Sequence, residues 1–94
     1  MNLAIAIVGL PDDPEPRAIF LQELAMDLAE AIAPEGAWQA SLGSDRITLE
    51  MPGFGFALRG DVGWWLDLWG SNELARRARD IADAEPRVMW RVGV

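Results

Sequence analysis

Residues 37–69 alternate apolar and polar side chains with period two, and turn signals interrupt them at Gly43-Ser44, Pro52-Gly53 and Gly60-Asp61. A helix cannot use that period, because its faces repeat every 3.6 residues, so the segment predicts a meander of up to four short antiparallel strands. Trp38, Ala40 and Leu42 share one face against Gln39 and Ser41. Ile47, Leu49 and Met51 face away from Arg46, Thr48 and Glu50, while Phe54, Phe56 and Leu58 oppose Gly55 and Ala57. Each strand has one apolar side to bury and one side that need not be.

The flanking segments complete the architecture. Asn2–Gly9 is an apolar run bounded by Gly9 and Pro11, which predicts a central strand buried on both faces. Asp13-Pro14-Glu15 is a helix start, with Asp13 as cap, Pro14 in the first turn and Glu15 complementing the helix dipole. Arg17–Ala33 has helical period and stops before Pro34-Glu35-Gly36. Ser71 caps a second helix running to about Ala84, with a narrow apolar face of Leu74, Ala75, Ala78, Ile81 and Ala82. Pro86 ends it, and Arg87–Val94 alternates again as a last strand. The 94 residues therefore predict one α+β domain, a two-layer sandwich of β-α-β-β-β-β-α-β order. Its sheet is mainly antiparallel and both helices lie on one face. The order is similar to the split β-α-β arrangement of ferredoxin-like domains with one or two extra strands in the middle, a likeness of topology alone.

Missing residue types narrow the chemistry. The chain has no Cys, His, Lys or Tyr. Disulfides, thiolate nucleophiles, zinc–sulfur sites, histidine bases, Schiff-base lysines and tyrosine acids are therefore excluded. Asp, Glu, Ser, Thr and Arg remain, so a carboxylate-based enzyme is the residual catalytic reading and a non-enzymatic protein the expected one. No cofactor or metal is implied. Asp12-Asp13-Glu15 has too few oxygen donors for a cation loop and reads as helix capping. Arg59-Gly60-Asp61 spells an adhesive tripeptide, but a Gly-Asp hairpin turn accounts for it. A carboxylate pair of Glu50 with Asp67 requires a particular strand order.

Net charge is −7, with eleven acids against three arginines in residues 1–70 and four acids against five arginines beyond. An acidic body argues against direct nucleic-acid binding, which draws its affinity from phosphate neutralisation. It suits a basic or nucleic-acid-binding protein partner instead. Glu23, Asp27 and Glu30 fall at i, i+4 and i+7 as one acidic stripe on the first helix, either a solvated face or a surface for positive charge. The opening segment has no basic region before its apolar run and no run spans a bilayer, so neither signal peptide nor membrane is expected and the cytoplasm is the default location.

Gly60–Gly70, GDVGWWLDLWG, places three tryptophans in six positions. In a strand, Trp64, Leu66 and Leu68 point one way and Trp65, Asp67 and Trp69 the other. Burying an unpaired carboxylate costs several kcal/mol, so Asp67 assigns the second set to the face away from the helices. There Trp65, Asp67 and Trp69 are expected to join Met89 and Arg91 of the last strand and Arg46 and Glu50 of the meander. Trp and Arg dominate interface hot spots, and exposed apolar area marks contact surfaces. The sequence thus points to a small acidic protein-binding module, an inhibitor or an immunity or anti-defence protein acting by stoichiometric binding. The alternative is a self-associating domain whose sheet face closes a homodimer.

Overall fold

A computed structural model describes the backbone of residues 2–85 and 89–92, and the side chains of 3–85. Strand β1 (Asn2–Val8) leads to helix α1 (Pro14–Ile32), then to β2 (Gln39–Leu42), β3 (Arg46–Met51), β4 (Phe54–Gly60) and β5 (Trp64–Gly70). Helix α2 (Asn72–Asp83) and β6 (Met89–Val92) follow. The six strands form one sheet in the order β2-β3-β4-β5-β1-β6, with every neighbouring pair antiparallel. Strand β5 lies between β4 and β1, which run parallel to each other. The inner set β4-β5-β1-β6 with its two helices has the split β-α-β arrangement, and the β2–β3 hairpin is the extra pair, inserted after α1 and placed at the edge.

Both helices lie on one face, α1 over β3 and β4 and α2 over β5 and β6. Leu21, Leu24, Leu28 and Ile32 of α1 meet Ile5, Ile7, Leu49, Phe56, Leu66 and Leu68 in one buried cluster. Helix α2 contributes only Ala75, Ala78 and Ala82 as buried residues, and alanines allow its backbone to approach closely. The α1 C-terminus has no basic residue in its last turn. Arg77 of α2 donates from Nη1 to the Ile32 carbonyl at 3.2 Å, and Trp38 donates from Nε1 to the Ala33 carbonyl at 3.1 Å. The Ile32 carbonyl, which helix geometry leaves unpaired, is thereby satisfied from α2, and the Ala33 carbonyl, which also accepts from Gly36 N at 3.0 Å, gains a second donor.

Three expectations change. Asp13 occupies the N-cap position, but its side chain makes no capping bond; its carbonyl accepts from Arg17 N, whereas Ser71 Oγ does accept from Leu74 N. Strand β1 is central but buried deeply only on the helix side, at Ile5 and Ile7; Ala4, Ala6 and Val8 are half-buried, because no helix covers the second face. Ala40 and Leu42 point to the helix side yet stay exposed, since β2 is the edge strand and α1 packs over β3 and β4. Gly70 shows why its position takes glycine: φ is +99°, and a Cβ there would collide with the Gly53 carbonyl, which accepts from Ser71 N. No helix among the described residues is long and apolar enough to cross a membrane.

Candidate functional site

The register of the sheet fixes what lies on its open face. In one cross-strand row Glu50, Gly55, Trp69 and Asn2 follow one another. The next holds Thr48, Ala57, Asp67 and Ala4, and the third Arg46, Arg59, Trp65, Ala6 and Arg91. Trp65, Asp67 and Trp69 therefore share the face away from the helices, as their alternation with buried Leu66 and Leu68 requires. Arg46 joins them, exposed, with Nε donating to Thr48 Oγ1 at 3.2 Å. Arg91 and Met89 enter by backbone register alone, opposite Ala6 and Val8; their side chains lie outside the described residues.

Asp67 is not a solvated carboxylate. Arg59 on β4 donates from Nε to Asp67 Oδ2 at 2.7 Å and from Nη2 to Oδ1 at 3.3 Å, a forked pairing of guanidinium and carboxylate. Arg59 also reaches Asp61 Oδ2 from Nη1 at 3.3 Å and stands 6.0 Å from the centre of the Trp65 ring. The hydrogen bonds to Asp67 raise the Arg59 pKa above its ordinary value, with burial opposing and the charges of Asp67 and Asp61 adding to the rise. The Arg59-Gly60-Asp61 tripeptide is thus consumed within its own hairpin. The cation also offsets the charge of Asp67, which explains how this carboxylate sits half-buried on the sheet.

The two tryptophans, whose exposure the sequence left open, are half-buried on this face. The cause is local. Gly55 faces Trp69 across the β4–β5 ladder, and a Cβ on Gly55 would lie 2.6 Å from Trp69 Cε2. The indole lies down over the missing side chain, and Gly55 is buried beneath it. Trp65 is held by its Nε1 donating to the Asp61 carbonyl at 3.1 Å and by the neighbouring Arg59. The same device recurs on the helix face, where Gly60 pairs with Trp64 and its Cβ would lie 2.8 Å from Cζ2. There the Arg17 guanidinium stands 5.6 Å from the Trp64 ring. Beside Trp69 a shallow depression of about 410 Å³ is lined by Leu3, Ala4, Asp67 and Leu68.

Glu23, Asp27 and Glu30 are exposed on α1, on the layer opposite the open sheet face, so the two candidate surfaces do not form one site. Glu50 and Asp67 stand on strands separated by β4 and in different rows, so the sheet does not pair them. No cluster of three or more metal-ligating side chains occurs among the described residues. The residues that the sequence reading missed are Arg59 and Gly55. Both act through a neighbour known only once β4 is placed against β5. Compared with known proteins, the chain matches no family model, no curated protein and no solved structure.

Proposed function

We propose that the chain is a small protein-binding module that acts by stoichiometric docking of its open sheet face onto a protein partner, in the manner of an inhibitor or an immunity or anti-defence protein. The observation that carries this reading is the pair Trp65 and Trp69, held half-buried on the one sheet face that neither helix covers. Each ring is fixed from below or from the side, by Gly55 or by Arg59 and Asp61, so little side-chain entropy remains to be lost on binding. Pre-ordered tryptophans beside arginines are the composition of interface anchors.

The chain works in this reading without catalysis: on the open face Asp67 is committed to Arg59, and Glu50, exposed at the far end of the Trp69 row, has no second carboxylate opposite it in the sheet. A partner with basic character is favoured by the net charge of −7 and by the acidic stripe of α1, which steers such a partner during approach. The reading places the protein in the cytoplasm. Capture from a lysate of the source cell on immobilised parent and on a Trp65→Ala/Trp69→Ala variant tests it. A protein retained in stoichiometric amount by the parent and lost from a variant with unchanged circular dichroism supports the sheet face. Equal retention by both removes it.

A further inference from the structure

The edge of the sheet carries information that the open face does not. Strand β2 has all four residues exposed, and Gln39-Ala40-Ser41-Leu42 contains no charge, no proline and no bulge. Those are among the means by which an edge strand is kept from pairing with another chain, and β2 has only its shortness, four residues, in their place. Leu42 is 59% exposed, on the helix side of the sheet but beyond the reach of α1.

The hydrogen-bonding phase of this edge follows from the hairpin. Gly43 N donates to Arg46 O at 2.8 Å, so Gly43 and Arg46 form a hydrogen-bonded pair. Antiparallel pairs alternate, so Ser41 with Thr48 and Gln39 with Glu50 turn their backbone groups inward. Ala40 and Leu42 turn theirs outward. The free edge therefore offers the N–H and C=O of two residues separated by one. A second copy related by a two-fold axis through Ser41 presents the same spacing in the opposite direction. Ala40 of one chain then meets Leu42 of the other in a hydrogen-bonded pair, and Leu42 meets Ala40.

We infer that β2 pairs antiparallel with β2 of a second copy, joining two six-stranded sheets into one of twelve strands. Two residues on each strand, each giving one donor and one acceptor, make four backbone hydrogen bonds. On the helix side each exposed Leu42 covers the Ala40 of its mate, and on the open face Ser41 meets Ser41. The same operation extends the row Glu50–Gln39 into Gly43 and Arg46 of the second copy, so an acid and a base occupy the two ends of each row and like charges never face each other across the seam. Because α1 packs over β3 and β4 and leaves all four residues of β2 exposed, the seam is open on the helix side. The pairing leaves Trp65 and Trp69 free and places two such faces on one continuous surface.

The test is solution mass by light scattering over a broad concentration range, on the full chain and two variants. Ala40→Pro removes an outward N–H and leaves the β3 ladder intact, and Leu42→Lys puts a charge on the seam. The inference expects a species of twice the 10.3 kDa chain mass in the parent. Each variant is expected to raise its dissociation constant by at least about tenfold, with the far-ultraviolet circular dichroism unchanged. A monomer at every concentration overturns it. So does a dimer that survives both edge variants, and one that Trp65→Ala/Trp69→Ala dissolves while both edge variants leave it intact places the contact on the sheet face instead. Loss of partner capture without change in mass, by contrast, concerns only the role of the open face.

Discussion

The indole of Trp69 on β5 lies over Gly55 of β4, with Cε2, Cζ2 and Nε1 all within 2.7 Å of where a Gly55 Cβ would sit. The glycine supplies the space and the tryptophan supplies the cover that a glycine in mid-strand otherwise lacks. The arrangement also holds the ring at a fixed height on the open face. Gly55→Ala is expected to lift the indole away from the sheet. The added methyl contributes some strand propensity, but overpacking dominates and the net loss of stability is about 1 kcal/mol. Urea unfolding together with tryptophan emission, which shifts to longer wavelength as the ring is exposed, checks it.

Arg59 and Asp67 form the polar counterpart of that contact. Both side chains are only partly shielded, Arg59 at 30% and Asp67 at 22% exposure, so the pair lies between surface and buried behaviour. A double-mutant cycle with Arg59→Met and Asp67→Asn is expected to give a coupling of about 1 kcal/mol that shrinks with added salt. Arg59→Met alone is expected to cost more than the double change, because it leaves a half-buried carboxylate without its partner. Chemical denaturation at low and high ionic strength measures both.

How much of this was legible in the sequence follows from which interactions are local. Gly43-Ser44, Pro52-Gly53 and Gly60-Asp61 all mark real turns, because turn chemistry depends on residues adjacent in the chain. Asp67 correctly assigned Trp65 and Trp69 to the open face, since alternation within one strand suffices for that. It did so on the premise of an unpaired carboxylate, whereas the pairing with Arg59 depends on the β4–β5 register, a relationship between strands. The lowered exposure of Trp69 was hidden for the same reason, as Gly55 becomes its neighbour only across the ladder. Ala40 and Leu42 looked like core positions because period two shows which residues share a face and says nothing about whether a helix reaches that far. The Asp13 cap failed on side-chain geometry, where residue type alone is a weak guide.

Val62 is the one residue other than glycine with positive φ among the described residues, at +46°, and it is 98% exposed at the tip of the β4–β5 hairpin. A β-branched side chain in the left-handed region is strained, at about 1–2 kcal/mol. Glycine relieves that strain and forfeits about 0.5–1 kcal/mol of chain entropy. Val62→Gly is therefore expected to stabilise the protein by about 0.5–1 kcal/mol, raising the thermal midpoint by a few degrees. Differential scanning calorimetry of the two proteins decides the sign.

The central claim is that the open face with Trp65 and Trp69 is where a protein partner docks. Its most direct test is calorimetric titration of the captured partner, once purified, into the parent, the Trp65→Ala/Trp69→Ala variant and a Glu23→Arg/Asp27→Arg/Glu30→Arg variant, at low and high salt. The account predicts a saturating 1:1 isotherm per chain for the parent and a loss of at least about 2 kcal/mol of binding free energy in the tryptophan variant at both salt concentrations. The charge-reversed helix is predicted to weaken binding chiefly at low salt. Binding by the tryptophan variant as tight as by the parent, with both proteins folded, would contradict it.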